Sequence, residues 1–489
     1  MSEPLVVPEV RRLGPARLTA GMDRWDRLDF AAHRRTHGPL PRASRSELLA
    51  VADRIDLRGR GGAAFPFARK ARATLGAAER SGRAPVLVVN GAEGEPPSVK
   101  DATLLARAPH LVLDGVTLAA LAFGAAEVVV AVASGSAAEL SVPAAIAERG
   151  RDPVPMRTLC VPDRFVSGES GALIRAVNGR AALPPSRPVR AAEGGRGGVS
   201  GRPTLLCNAE TWAQLALAAR LGPDAFAVVG TPDEPGTLLV TVNRSPRPPV
   251  VVEVPAGASL AVVLDACGVD PGAGVLVGGY HGAWLPPHLA PDLPLSRTGL
   301  AAAGGTLGAA SVVALPRGVC ALAEITAVAG WLADESTGQC GPCRRGLPET
   351  VDALRALSRG AGSASAVRRA AALGRGRGAC AHPDGVARFV LSALTVFAED
   401  IATHASGSGC GLSSGLTLPL PRQAGERLAV DWARCAGHGL CASLAPDLIT
   451  LDPHGFPLLR ENANLAPWQR PQARRAVARC PALALRIGR

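Results

Sequence analysis

DLRGRGGAAFPFARK, residues 56–70, decides how the first half of the chain is read. It contains G-x-G-x-x-A at Gly59, Gly61 and Ala64, a spacing found in nucleotide-binding turns that follow a β-strand. Here the preceding stretch, SELLAVADRIDL (46–57), has apolar residues at helical spacing, so that context is missing. The physics of the loop remains. Consecutive glycines expose backbone N–H groups that can cradle phosphate, and Arg60 and Lys70 add positive charge. An ordinary glycine turn is the competing reading, and the rest of the chain has to choose between them.

Working outward, APVLVVN (84–90) reads as a buried strand. VVNGAEGEP (88–96) then sets Asn90, Glu93 and Glu95 just past its C-terminal end, where open α/β sheets hold ligands. A helix over 102–122, a strand over 126–133, a helix over 136–149 and a strand near 205 follow. Residues 46–235 are therefore expected to form an α/β sandwich on a largely parallel sheet. Residues 1–45 read as an irregular lead-in with short helices. From 236 to 318 strands and turns dominate, and 319–404 turn helical over 320–334, 347–357 and 386–404. A Gly/Ser-rich linker is expected over 405–425, and 426–489 forms a small unit with its own cysteine pattern.

The 489 residues suffice for roughly three or four domains. With 47% apolar and only 3% aromatic residues, the cores must be built from Ala, Val and Leu. The net charge of +12 is carried by scattered arginines, with no basic run interleaved with aromatics. That argues against nucleic acid and for an acidic protein partner. GVTLAALAFGAAEVVVAVASG (115–135) is long enough to test as a membrane span, but Gly124 and Glu127 divide it into helix, turn and strand. No membrane insertion is expected, and the N-terminus lacks signal architecture, so a cytoplasmic location is expected. Eleven cysteines then point to metal ligation more than to disulfides.

ESTGQCGPC (335–343) supplies Cys340 and Cys343, and RGRGACAHPDG supplies Cys380. A further thiolate is expected three residues before Cys340, where Thr337 stands; its hydroxyl is a poor, hard substitute. Three outcomes are open: a cluster with three cysteines and an oxygen ligand, a 3Fe-4S cluster, or an empty site with buried thiols. In the C-terminal unit, Cys435, Cys441 and Cys480 form C-x5-C with a distant C-P. The middle position of a C-x-x-C-x-x-C run falls to His438. A zinc site of His438 plus three cysteines is the alternative.

FVSGESGALIRAVNGR (165–180) and RPTLLCNAETWAQLA (202–216) complete an ordered set of motifs. Over about residues 46–404 the chain resembles the NADH-binding flavoprotein subunit of respiratory complex I and its relatives in NAD-linked hydrogenases and formate dehydrogenases. The resemblance implies FMN in the α/β domain with NAD(H) stacked on it. It further implies a β-grasp domain at 236–318 and a four-helix bundle with a 4Fe-4S cluster at 319–404. On matching motifs, Gly59, Arg60, Gly61, Gly62 and Lys70 would contact FMN, and Asn90 would hydrogen-bond the flavin. Glu93 and Glu95 would border the nicotinamide, Gly168, Glu169, Asn208 and Thr211 would complete the site, and Phe65 would stack on adenine.

Departures accompany these matches. Ala92 stands where relatives carry a carboxylate, Ser170 replaces a glutamate, and Ala73 stands near the place of a second clamp aromatic. The tail resembles the small α+β ferredoxins of bacterial cytochromes P450, where the vacancy at His438 goes with 3Fe-4S. The implied function is electron transfer from NAD(P)H through FMN to iron–sulfur centres. The acceptor would be a redox protein such as a P450 or a thioredoxin-like ferredoxin subunit. The rival function is an electron-carrier or assembly subunit whose NADH site has decayed.

Overall fold

The computed structural model describes residues 7–150, 152–185, 190–421, 426–459, 465 and 469–488. The chain divides into two compact units, Met1–Pro419 and Leu420–Arg489.

The first unit is organised by a parallel four-stranded sheet in the order Met156–Val161, Glu127–Ala133, Val86–Gly91, Thr204–Asn208. Its inner strands are continuous runs of β-branched residues because both faces are covered. Leu87, Val89, Val128 and Val130 face the core shared with helices Pro109–Phe123 and Ala209–Leu221. Val86, Val88, Val129 and Ala131 face the other core, with Leu173 and Ile174 of helix Ser170–Val177. Each of these Val, Leu and Ile side chains contributes about 1.5–3 kcal/mol when fully buried. The chain builds outward from Val86–Gly91 to Met156–Val161, then returns to lay Thr204–Asn208 on the opposite side. The strand order thus reverses between Val86–Gly91 and Thr204–Asn208, and a crevice at the carboxyl ends there is the natural ligand position.

The helix expected over 102–122 is two helices, Lys100–Arg107 and Pro109–Phe123, bent by 91°. Pro109 lacks an N–H, and the residue before a proline avoids helical geometry; Ala108 sits at φ −130°, ψ 52°. Gly124 ends the second helix in the left-handed conformation and strand Glu127–Ala133 follows, as the 115–135 reading required. Among the described residues no single helix is long and apolar enough to cross a membrane.

The lead-in is not wholly irregular. Glu9–Arg12 forms an edge strand parallel to Arg247–Pro255, in a six-stranded mixed sheet otherwise built from residues 237–315. A four-residue strand rich in charge leaves no usable periodicity, and charge on an edge guards against stray pairing. The lead-in is fastened by the buried Glu253 carboxylate, which accepts the backbone N–H groups of Arg17, Leu18 and Thr19. Among the described residues, five α-helices lie between 321 and 405: Ala321–Asp334, Leu347–Ser358, Ala364–Leu373, His382–Val396 and Ala398–Ala405.

The stretch expected as a flexible linker is stitched down as far as Pro419. Cys320 N–H donates to Ser413 O and Ser413 N–H to Gly318 O, at 2.8 and 3.0 Å. The Thr417 and Leu418 N–H groups reach the buried Glu324 carboxylate, and the Tyr280 hydroxyl donates to Pro419 O. Residues 422–425 of that stretch lie outside the described residues.

The second unit pairs Arg427–Val430 with Leu485–Gly488, adds the hairpin Ile449–Leu451/Pro457–Leu459, and packs helices Leu440–Leu444 and Arg470–Ala478 on them. Its small core is Leu428, Val430, Ala445, Ile449, Ala473, Ala476 and Leu485, with Leu465.

Candidate flavin and iron–sulfur sites

At the reversal of strand order lies a cavity of about 230 Å³. Arg60 and Gly61 of the glycine loop line it, with Asn90, Glu93 and Glu95 beyond strand Val86–Gly91. Gly168 and Glu169 close one side, Asn208 another, and Cys380 and His382 a third. The residues read from the sequence therefore converge, although most hold one another in place. Asn90 donates from Nδ2 to Gly168 O at 2.8 Å and accepts from Ala92 N–H, which locks two loops together. Glu169 caps helix Ser170–Val177 through Ala172 N–H. Thr211 Oγ1 accepts the Arg60 N–H at 3.0 Å, fixing the glycine loop to helix Ala209–Leu221.

An adjoining cavity of similar size is lined by Gly59, Gly62, Arg58, Arg60, Arg297 and the Gly305–Gly308 turn. The Arg60 Nε is buried with no hydrogen-bond partner in the protein. An orphaned guanidinium N–H beside exposed loop backbone fits an anion such as a phosphate. Lys70 and Phe65 stand apart from the walls of both cavities. Lys70 donates to Leu206 O, while Phe65 is 45% exposed with the Arg69 guanidinium 5.5 Å from its ring centre.

The two glutamates carry the electrostatics. Glu93 accepts from Ser98 Oγ and from the Asp101 and Ala102 N–H groups, capping helix Lys100–Arg107. Burial, then the Asp101 charge, raises it to about 7. Burial pushes Glu95 to about 8, against the hydrogen bond from Tyr280 N–H. A carboxyl raised in the folded state stabilises the fold fully below its unfolded value of 4.5, and that stability is lost as pH rises toward 8. The wild-type protein should lose roughly 1.4 kcal/mol per pH unit from Glu95 over this range. Glu95→Gln should flatten the curve measured by urea denaturation at about pH 5.5 and 7.5; an unchanged slope would refute the assignment.

Sequence reasoning missed Lys100, Asp101, Phe165, His281 and His382 in the same wall. Lys100, 1% exposed, contacts Asp101 at 3.0 Å and Glu210 at 2.9 Å. The one available signal was a Lys-Asp pair opening the apolar helix KDATLLAR. Lys100→Met should cost about 3–5 kcal/mol in chemical denaturation, because two buried carboxylates lose their cation; a loss below about 1 kcal/mol would show the pair to be solvated. Phe165 packs edge-on against His281, ring centres 4.5 Å apart, and His281 Nε2 lies 3.0 Å from His382 Nδ1. Burial, then His382 and Arg388, holds His281 well below its usual range, so it is neutral.

Cys340 and Cys343 sit 3.4 Å apart, sulfur to sulfur. Burial, then Cys340, pushes the Cys343 thiol to about 12. Burial raises Cys380 as well, with Glu169 and Cys340 close enough to add to the effect. Three neighbouring thiols, Cys343 buried and Cys340 and Cys380 partly so, suit a cationic centre that would hold them as thiolates. Cys380 matters most here, because it stands both in that set and in the wall of the first cavity.

In the second unit, Cys435, Cys441, Cys480 and His438 line one small cavity. Gly437 and Gly439, at φ 68° and 69°, let the CAGHGLC loop curl around it. Cys480 Sγ accepts the Ala484 N–H at 3.3 Å, the kind of contact that steadies a thiolate ligand.

Residues 52–217 match the Nuo51 FMN-binding domain family. Residues 323–404 match the NADH-ubiquinone oxidoreductase-F iron-sulfur binding region, and 428–487 a 4Fe-4S single cluster domain. The F subunit of the NADH-quinone oxidoreductase of Streptomyces coelicolor is 30% identical over 386 residues, covering 74% of this chain and 84% of that protein. The chain belongs to the family of NADH-quinone oxidoreductase F subunits. Its similarity extends to NADP-reducing hydrogenase subunit HndC of Solidesulfovibrio fructosivorans, 26% identical over 82% of this chain and 83% of that protein. An air-oxidised NAD+-reducing [NiFe]-hydrogenase structure superposes with TM-score 0.71 at 25% identity, covering 82% of this chain and 68% of that one. As a member of this family it is an NADH-binding FMN oxidoreductase that passes electrons to iron–sulfur clusters. Iron–sulfur binding regions occur in two places, at 323–404 and 428–487.

Proposed function

We propose that electrons from a reduced nicotinamide nucleotide leave this chain through its own terminal cluster. They would pass by way of the Cys340/Cys343/Cys380 centre to the cluster of Cys435, Cys441 and Cys480. FMN, when bound, supplies the exchange between two-electron and one-electron chemistry. The observation that carries the reading is Cys380 in the wall of the flavin cavity. Arg60, Gly61, Asn208 and Gly168 would hold the flavin, with Gly59 and Gly62 along the adjoining arm. Glu95, protonated below about pH 8, keeps its side of the cavity uncharged. The neutral His281–His382 pair and Phe165 would line the same cavity beside Cys380.

Three thiolates and no fourth suit a 3Fe-4S centre in the tail, which EPR of the oxidised protein would report. A redox protein such as a P450 is the proposed acceptor, and the +12 chain favours an acidic one. The domain limits proposed within the first unit are 46–235, 236–318 as a β-grasp domain and 319–404.

One observation favours the rival electron-carrier reading. Phe65 is half-exposed and Ala73 offers no second ring, and each lost base-stacking contact weakens binding by about 1–3 kcal/mol. The test is anaerobic mixing with NADH and, separately, NADPH, following the flavin absorbance. Bleaching by either establishes the enzyme; a flavin-loaded protein bleached by neither is the carrier.

A further inference from the structure

Away from both cavities and from the iron–sulfur cysteines, four side chains converge whose roles nothing above explains. They are Cys320, Asp400, His404 and Cys410, and their ligand atoms all lie within 4.8 Å of one another. Cys320 is the N-cap of helix Ala321–Asp334 and its sulfur accepts the Ala323 N–H. Asp400 and His404 stand one turn apart on helix Ala398–Ala405, which puts them on one face. Cys410 arrives from the glycine-rich stretch beyond that helix.

The spacing suits one ion. Ligand atoms about 2.0–2.3 Å from a tetrahedral zinc stand roughly 3.3–3.8 Å from one another. Cys320 Sγ lies 3.3 Å from His404 Nε2, and His404 Nε2 lies 3.8 Å from Asp400 Oδ1. Both Asp400 carboxylate oxygens are buried without a hydrogen-bond partner in the protein. An unpaired buried carboxylate is expensive unless a cation faces it.

We propose that Cys320, Asp400, His404 and Cys410 bind one zinc-class divalent cation in a closed, four-ligand structural site. Two soft sulfurs, an imidazole and a carboxylate match zinc better than magnesium or calcium, which take oxygen. With four protein ligands no position is open to substrate, so the ion is a clip. It joins the start of one bundle helix to another and to the segment running on to Pro419. The Cys320–Ser413 and Glu324–Thr417 hydrogen bonds fasten the same segment.

The test is metal analysis and zinc-edge X-ray absorption on the full chain, purified anaerobically from zinc-supplemented culture. The expected result is about one zinc per chain with sulfur at about 2.3 Å and nitrogen or oxygen at about 2.0–2.1 Å. Cys410→Ser sits on a partly exposed loop and should fold normally, so its flavin and iron content serve as the control. Zinc should fall roughly tenfold or more in Cys410→Ser and in His404→Ala, yet persist in Cys340→Ser and Cys441→Ser. The proposal is overturned by wild-type protein free of zinc, by zinc undiminished in both ligand variants, or by a Cys320–Cys410 disulfide in mass spectrometry.

Discussion

Gly94→Ala should strip this protein of most of its FMN. Gly94 stands in the proposed flavin cavity between Glu93 and Glu95. A Cβ there would lie 2.1 Å from Arg164 O and 2.9 Å from Phe165 N, both backbone atoms. No rotamer change can relieve that contact, so one of the two loops must move. Overpacking of this kind costs about 1–3 kcal/mol, and the displaced loop carries Phe165, Gly168 and Glu169, which face the same cavity. Flavin per chain should drop on the order of tenfold, since 1.4 kcal/mol is already a factor of ten. Gly76→Ala is the contrast. Its Cβ would meet only the movable tip of Arg80, at 3.3 Å, inside helix Phe67–Ser81. That change should stabilise the protein by about 0.5–1 kcal/mol and leave flavin content unchanged. Equal flavin content in Gly94→Ala and wild type would remove the cavity from the account.

The second large effect belongs to Cys441→Ser. Cys441 shares its small cavity with Cys435 and Cys480, and a serine hydroxyl is a hard, weakly acidic replacement for a thiolate. The C-terminal cluster should be lost, and iron should fall by about the content of one cluster. Transfer to an external one-electron acceptor protein should drop at least about tenfold, while NADH bleaches the flavin as fast as before. Slowed bleaching would instead place the tail cluster upstream, or show that the substitution disturbs the first unit.

Much of this was legible from short-range pattern. β-Branched runs located Val86–Gly91 and Glu127–Ala133, and the helical spacing of 46–57 excluded an ordinary nucleotide-binding fingerprint. The strand-end rule then put Asn90, Glu93 and Glu95 in the crevice where they stand. The misses share one physical cause: their partners are remote in sequence. Glu9–Arg12 is a strand because Val250–Glu253 offers an edge. Lys100 is tolerated in a core because Glu210, 110 residues further on, meets its ammonium group. His281 and His382 meet across 101 residues, and Cys320 finds Cys410 only once the bundle folds. Pro109 was the exception, a local signal strong enough to have divided the 102–122 helix.

The central claim is that one polypeptide carries electrons from a flavin cavity walled by Cys380 to a cluster at its own tail. The direct measurement is rapid-freeze EPR of the fully loaded chain after anaerobic mixing with NADH, or with NADPH if that is the nucleotide that bleaches the flavin. The account predicts that the signal of the Cys435/Cys441/Cys480 cluster changes in the same molecules whose flavin has bleached, with no mediator added. A bleached flavin beside a tail cluster that stays oxidised would contradict it.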